Sequence, residues 1–159
     1  MKKLIVMLSL FIIGCGSSKT ITTISEEDLS LLESKQFMIN NEWLLPMGAG
    51  QINLIGNPNH IQIKNDSLDV YLPYFGVRQF GGSYNGEAGI KFSGVMTDYH
   101  VNEGKKGAKM IQFSSKDGTE NFKFSITIYP EGKTLTQIIS TSRDNVSYRG
   151  YLEKLPEDL

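Results

Sequence analysis

Cysteine and histidine are scarce in this chain. Cys15 is the single cysteine among 159 residues, which excludes a disulfide within the chain. The two histidines, His60 and His100, lie forty residues apart, and no His-x-His or Cys-x2-Cys pair occurs. Because a zinc site needs three or four ligands, we interpret both histidines as surface residues and expect no metal site.

Long apolar runs and an excess of one charge are also missing. The longest apolar run, Leu4 to Ile13, would extend about 15 Å as a helix, which is half of a bilayer core about 30 Å thick. A formal net charge of −1 provides no basic surface for nucleic acid. We therefore predict neither a membrane-spanning helix nor a nucleic-acid partner.

Motifs of known catalytic chemistry are absent as well. No Gly-x-Ser-x-Gly elbow marks a nucleophilic serine. The glycine-rich segment from Gly76 to Gly89 lacks the Gly-Lys-Ser/Thr of a phosphate-binding loop. No spacing distinguishes a catalytic carboxylate pair. We predict that the protein is not an enzyme and carries no cofactor, with an enzyme of unrecognised type as an alternative.

The first fifteen residues have the pattern of an export signal. Two lysines precede the apolar run, and the run ends in the residues IIGC, where Gly14 stands before Cys15. This ending resembles the lipobox of bacterial lipoproteins, in which an aliphatic residue and a small residue precede a cysteine. The resemblance implies acylation of the Cys15 sulfur, detectable as palmitate, and cleavage between Gly14 and Cys15. A buried N-terminal segment is the alternative.

Acylation also accounts for a lone thiol in an oxidising compartment. Two or three acyl chains anchor a protein stably, whereas one is marginal. Gly16 follows Cys15, and this resembles lipoproteins that are sent to the outer membrane, without the acidic run that directs surface display in some Bacteroidota lipoproteins. We therefore predict an anchor on the periplasmic face, a signal peptide at 1–14, the lipidated cysteine and a tether at 15–24, and one domain at 25–159.

The domain begins with a predicted helix and continues as strands. Ser25 and the acids after it are typical of a helix start, and the helix is expected to reach about Gln36. From Phe37 onward apolar residues recur with a period of two, most clearly in the segment NFKFSITIY. We predict a mainly β domain: an antiparallel meander of seven or eight strands, forming a curled sheet or small up-and-down barrel, with one short N-terminal helix. A β-sandwich is the alternative.

One predicted strand changes phase along its length. Ile90 and Phe92 occupy even positions, whereas Val95 and Val101 occupy odd ones. A slip of one residue turns every side chain to the opposite face of a sheet. We predict a β-bulge at Gly94 that absorbs this slip and bends the strand.

Three short motifs carry a resemblance to a known family. They are LPYFG at Leu72–Gly76, GIKF at Gly89–Phe92 and SYRGYL at Ser147–Leu152. Together with the lipobox and the N-terminal helix, they resemble a Bacteroidota lipoprotein family known as domain of unknown function 4251, from about Glu26 to Leu152. The resemblance implies an envelope lipoprotein of largely β structure and assigns no catalytic residue.

The glycine-rich segment is the predicted binding loop. Arg78, Phe80 and Tyr84 offer a guanidinium and two aromatic rings, and Tyr74 and Phe75 precede them. Loops on rigid scaffolds often bind partners. We therefore predict a binding or envelope-assembly module with an unidentified partner. The alternative is a small-ligand carrier with an apolar barrel cavity, which the Phe-rich inward faces of the strands disfavour.

Overall fold

The computed structural model describes residues 23–48, 50–77 and 89–156. Within these residues the chain forms one α-helix and ten strands. Helix α1 spans Glu26–Ser34. The strands are β1 (Gln36–Pro46), β2 (Ile52–Asn53), β3 (His60–Lys64), β4 (Ser67–Pro73), β5 (Gly89–Val95), β6 (Thr97–Glu103), β7 (Lys109–Asp117), β8 (Glu120–Ile128), β9 (Lys133–Ser140) and β10 (Val146–Lys154). No helix in this described part is long and apolar enough to cross a membrane.

The strands form a single antiparallel sheet that curls into a barrel. The order across the sheet is β5-β4-β3-β1-β10-β9-β8-β7-β6, and the short β2 adds to β1. Most strands therefore pair with their neighbours along the chain, and β10, the last strand, pairs with β1, the first long strand. Because this pairing joins the two ends of the meander, the sheet nearly closes on itself. The predicted mainly β fold with one short helix is confirmed.

The remaining break in the barrel lies where β5 passes into β6. Strand β5 pairs with β4, whereas β6 pairs with β7 on the opposite side of the break. Met96 separates them, is buried, and donates its backbone N–H to the carbonyl of Asp66 at 2.8 Å. A register shift follows between Thr97 and His100, where Asp98 has a φ of 56°. One bent segment thus pairs with two neighbours, and with β2 this explains why ten strands replace the predicted seven or eight.

The predicted bulge at Gly94 is wrong. Gly94 stands opposite Leu68 in regular register. Its role is steric, because a Cβ at this position would lie 3.0 Å from the hydroxyl oxygen of Ser115 on β7. The same hydroxyl donates to the carbonyl of Val95 at 3.0 Å. The glycine therefore allows β5 and β7 to approach each other at the break.

Helix α1 packs at one end of the barrel, called here the helix end. The Ser25 hydroxyl accepts a hydrogen bond from the backbone of Asp28 at 3.0 Å, which confirms the predicted N-cap. Lys35 has a φ of 51° and ends the helix slightly before the predicted Gln36. Leu32 is buried against the barrel, and its carbonyl lies 3.4 Å from the hydroxyl of Tyr99 on β6. The short helix is therefore stabilised by packing rather than by its own length.

Aromatic and aliphatic side chains fill the barrel. Phe113 and Phe124 stack with ring centroids 4.8 Å apart, and the half-buried Phe92 stacks on Phe122 at 4.9 Å. Tyr148 is fully buried, and burial raises the pKa of its hydroxyl. That hydroxyl donates to the carbonyl at the end of β4 at 2.7 Å. The interior of the barrel is therefore packed with large rings.

Candidate functional site

The end of the barrel opposite α1, called here the loop end, carries both flanks of the glycine-rich segment. Val77 and Gly89 are the described residues on either side of residues 78–88. The turn between β9 and β10 binds both of them. The backbone N–H of Asp144 donates to the Val77 carbonyl at 3.2 Å, and the Val77 N–H donates to the Asp144 carboxylate at 3.3 Å. Arg143 donates to the Gly89 carbonyl at 2.7 Å. Consecutive residues of one turn therefore fix the two flanks.

A buried ion pair supports this turn. The Arg143 guanidinium contacts the two carboxylate oxygens of Glu120 at 2.8 Å and 3.2 Å. The two side chains are 7% and 6% exposed. Ser140 also donates its hydroxyl proton to the Glu120 carboxylate. Such bidentate pairs fix geometry as well as charge, because the fork of the guanidinium matches the carboxylate. Glu120 is therefore a positioning group rather than a free general base.

Tyr74 contacts the same two residues, Val77 and Asp144, through its hydroxyl. Its ring is buried, and its hydroxyl lies 3.0 Å from the Val77 carbonyl and 3.3 Å from that of Asp144. Burial raises the pKa of this hydroxyl. A Cβ at Gly76 would lie 2.5 Å from the Tyr74 hydroxyl oxygen, so a side chain at position 76 would collide with it. Tyr74, which was included in the predicted binding loop, therefore buries its ring and holds the flank in place.

Two apolar side chains beside the segment are exposed. Phe75 is 55% exposed and Val77 is 65% exposed, and together they form the loop-end patch. Phe75 also lines a cleft of about 320 Å³ with Pro58, Tyr71 and Lys91. Contiguous exposed apolar patches often mark interaction sites.

The other predicted site residues lie outside the described residues. These are Arg78, Phe80 and Tyr84 of the binding loop, and Gly14 and Cys15 of the lipobox. Their predicted roles stay predictions.

The sequence interpretation missed the ion pair of Arg143 and Glu120. A signal was present for Glu120, because it shares the inward period of Phe122 and Phe124 on β8. A carboxylate on a buried face needs a buried partner. Arg143 carried no comparable signal, since its neighbours have the composition of an ordinary polar turn.

His60 lies in a hydrogen-bonded row with Asp69 and Ser93. No group of three or more possible metal ligands occurs in the part of the chain that the structure describes. His60 lies 2.6 Å from the carboxylate of Asp69, and Ser93 donates to the same carboxylate at 2.5 Å. Activation of a serine requires histidine between serine and aspartate, whereas here the aspartate lies between the other two. Partial burial raises the pKa of Asp69, but the hydrogen bonds from His60 and Ser93 outweigh burial and lower it.

Comparisons with known proteins agree with this architecture. The profile of the family described as "Domain of unknown function (DUF4251)" matches residues 23–152. A crystal structure of a DUF4251 family protein from Bacteroides eggerthii DSM 20697 is similar, with a TM-score of 0.64 and 17% sequence identity. The alignment covers 80% of this chain and 85% of that chain. At this identity the likeness shows the fold alone. A search of curated proteins found no match.

Proposed function

The chain belongs to the DUF4251 family, a domain of unknown function, and we propose that it is a lipid-anchored envelope protein that binds a partner at its loop end. The proposal rests on the hydrogen bonds that hold Val77 and Gly89, the two residues that flank the glycine-rich segment. One turn holds both flanks through Arg143 and Asp144, and the exposed Phe75 and Val77 lie beside them. A rigid scaffold that presents a glycine-rich loop and apolar side chains is a common binding arrangement.

In this proposal, acyl chains on Cys15 attach the protein to the membrane. The first buried side chain of the domain is Ile24, which precedes α1 at the helix end. Residues 16–23 connect the two and reach at most about 28 Å when extended. The lipid anchor would therefore join the domain at the helix end, which is opposite the loop end. We propose the outer membrane of a Bacteroidota cell, on its periplasmic side, as the location.

A binding role without catalysis is the proposal that fits the described side chains. Glu120, the buried carboxylate of the loop end, is engaged by Arg143 and Ser140. Ser93 donates to a carboxylate and has no histidine within hydrogen-bond distance in the described part of the chain. A general base must accept a proton from the substrate and a general acid must donate one, so either group has to reach the substrate.

The anchor is tested by labelling cells with a palmitate analogue. The wild-type chain should incorporate the label and run as a cleaved product. Cys15→Ala should incorporate none and stay uncleaved, whereas Ser17→Ala serves as the matched control and should behave like wild type. Unchanged labelling of the Cys15 variant would refute the anchor.

The binding surface is tested by a photo-crosslinking side chain placed at Val77 in cells. Val101 is the control position, because it is a valine that is 45% exposed on β6, the strand whose Tyr99 contacts α1 at the helix end. We expect a discrete adduct from position 77 that is lost when Phe75 is changed to serine, and none from position 101. Identical adducts at both positions, or none at either, would exclude the loop end as the binding surface.

A further inference from the structure

A second cleft lies on the outer face of the sheet, between β1, β9 and β10. Its volume is about 530 Å³, within the range of small-ligand sites, which is about 300–1,000 Å³. It arises from the bulge in β1, where the register with β10 shifts between Asn41 and Trp43. Opposite the bulge, a Cβ at Gly150 would lie 2.0 Å from the backbone oxygen of Asn40. The glycine therefore allows the two strands to approach at the floor of the cleft.

Aromatic rings form the apolar part of this cleft. Trp43, the single tryptophan of the chain, is half-buried and lines it. Tyr129 and Tyr151 line it as well and are 39% and 38% exposed. These rings belong to neither the barrel core nor the loop end. Their accessible π faces are suited to the C–H groups on one face of a sugar ring, because π faces carry partial negative charge.

Polar side chains complete the cleft. Arg149 has Gln51 as its one hydrogen-bonding side-chain partner in the described part of the chain, and no carboxylate there pairs with it. A guanidinium has five N–H donors, so most of the donors of Arg149 stay available. Lys133 adds a second cation, which is paired with Glu131. Glu42 is the carboxylate that lines the cleft, and with Gln51 it provides oxygen acceptors for hydroxyl groups.

We propose that this cleft binds an acidic saccharide, a sugar ring that carries a carboxylate. The carboxylate would pair with Arg149, because bidentate Arg–carboxylate contacts are among the stronger hydrogen bonds in proteins. The ring would lie against Trp43 and Tyr151, and its hydroxyls would bind Glu42 and Gln51. This site is independent of the lipid anchor and of the loop end.

The test is a titration of the full chain with D-glucuronate, followed by tryptophan emission. Trp43 is the only tryptophan and lines the cleft, so its emission responds to a ligand bound there. D-Glucose supplies the ring without the carboxylate, and acetate supplies the carboxylate without the ring. We expect a saturable change with glucuronate, and binding at least about tenfold weaker with either control ligand.

Variants separate the two parts of the site. Arg149→Gln should weaken glucuronate binding about tenfold or more, because a hydrogen bond to a charged group is lost. Tyr151→Ala should weaken it as well, whereas Lys116→Gln, an exposed lysine on β7, is the matched control and should bind like wild type. The proposal is overturned if glucuronate causes no saturable change, if acetate or glucose binds equally well, or if Arg149→Gln binds normally.

Discussion

Replacing Arg143 with methionine should show how firmly the loop end depends on its ion pair. The guanidinium binds the Glu120 carboxylate at 2.8 Å and 3.2 Å and the Gly89 carbonyl at 2.7 Å. Methionine keeps most of the length of the side chain and removes the charge and the donors. Glu120, which is 6% exposed, then loses the Arg143 guanidinium while it stays buried.

The size of the effect follows from burial. Removing one partner of a buried ion pair costs about 3–5 kcal/mol. The lost hydrogen bond to Gly89 adds about 1 kcal/mol. This is a large share of an unfolding free energy of about 5–15 kcal/mol. The double variant Arg143→Met with Glu120→Leu should lose only about 1–2 kcal/mol, because an apolar pair replaces the ion pair and only hydrogen bonds are lost.

Urea unfolding followed by Trp43 emission measures these differences, with the midpoint and slope giving the free energy. The double variant should be more stable than Arg143→Met alone. Lowering the pH should partly restore Arg143→Met, because protonation neutralises the buried carboxylate. The reasoning fails if Arg143→Met loses less than about 1 kcal/mol, or if the double variant loses the sum of the two single losses.

Three further predictions concern other parts of the fold. Gly150→Ala should unfold or strongly destabilise the protein in urea, since its Cβ would lie 2.0 Å from a backbone oxygen of β1, whereas Gly50→Ala, with open space around it, should not. Ser25→Ala should lose about 1 kcal/mol in the same assay through the N-cap, and the exposed Ser30→Ala should lose much less. The lowered pKa of Asp69 stabilises the fold above pH about 4 and ceases to do so as the pH falls through that pKa. The deficit of Asp69→Asn, below about 1 kcal/mol because the group is half exposed, should therefore shrink in acid, and a constant deficit would contradict this.

Local patterns were sufficient to predict the elements of this fold. The period of two on β8 places Phe122 and Phe124 inside, and the hydroxyl of Ser25 marks the start of α1. Short turns then imply antiparallel neighbours, which predicts a meander. These features depend on residues within a few positions of each other, which is why one sequence reveals them.

The closure of the barrel and the loop-end anchor were not predictable in the same way. The pairing of β1 with β10 joins Phe37 to Lys154, and no local pattern records a contact between residues that far apart. The phase change after Phe92 predicts a bulge at Gly94, but the register shift lies between Thr97 and His100, and no local pattern shows how closely β7 approaches Gly94. Arg143 and Glu120 are likewise distant in sequence, and only the inward position of Glu120 hinted at a partner.

The two ends of the barrel are closed by different chemistry, and this difference bears on function. Apolar contacts such as those of Leu32 close the helix end, and such packing tolerates small shifts of a helix. At the loop end, the Arg143 guanidinium donates from Nε to the Glu120 carboxylate and from Nη1 to the Gly89 carbonyl. A buried ion pair adds little stability compared with an apolar pair of the same size. The ion pair instead fixes the direction of the Arg143 side chain, and Arg143 in turn fixes the backbone at Gly89, where β5 begins. The polar contacts therefore fix the backbone at Val77 and Gly89, the two residues that flank positions 78–88, whereas apolar packing closes the helix end.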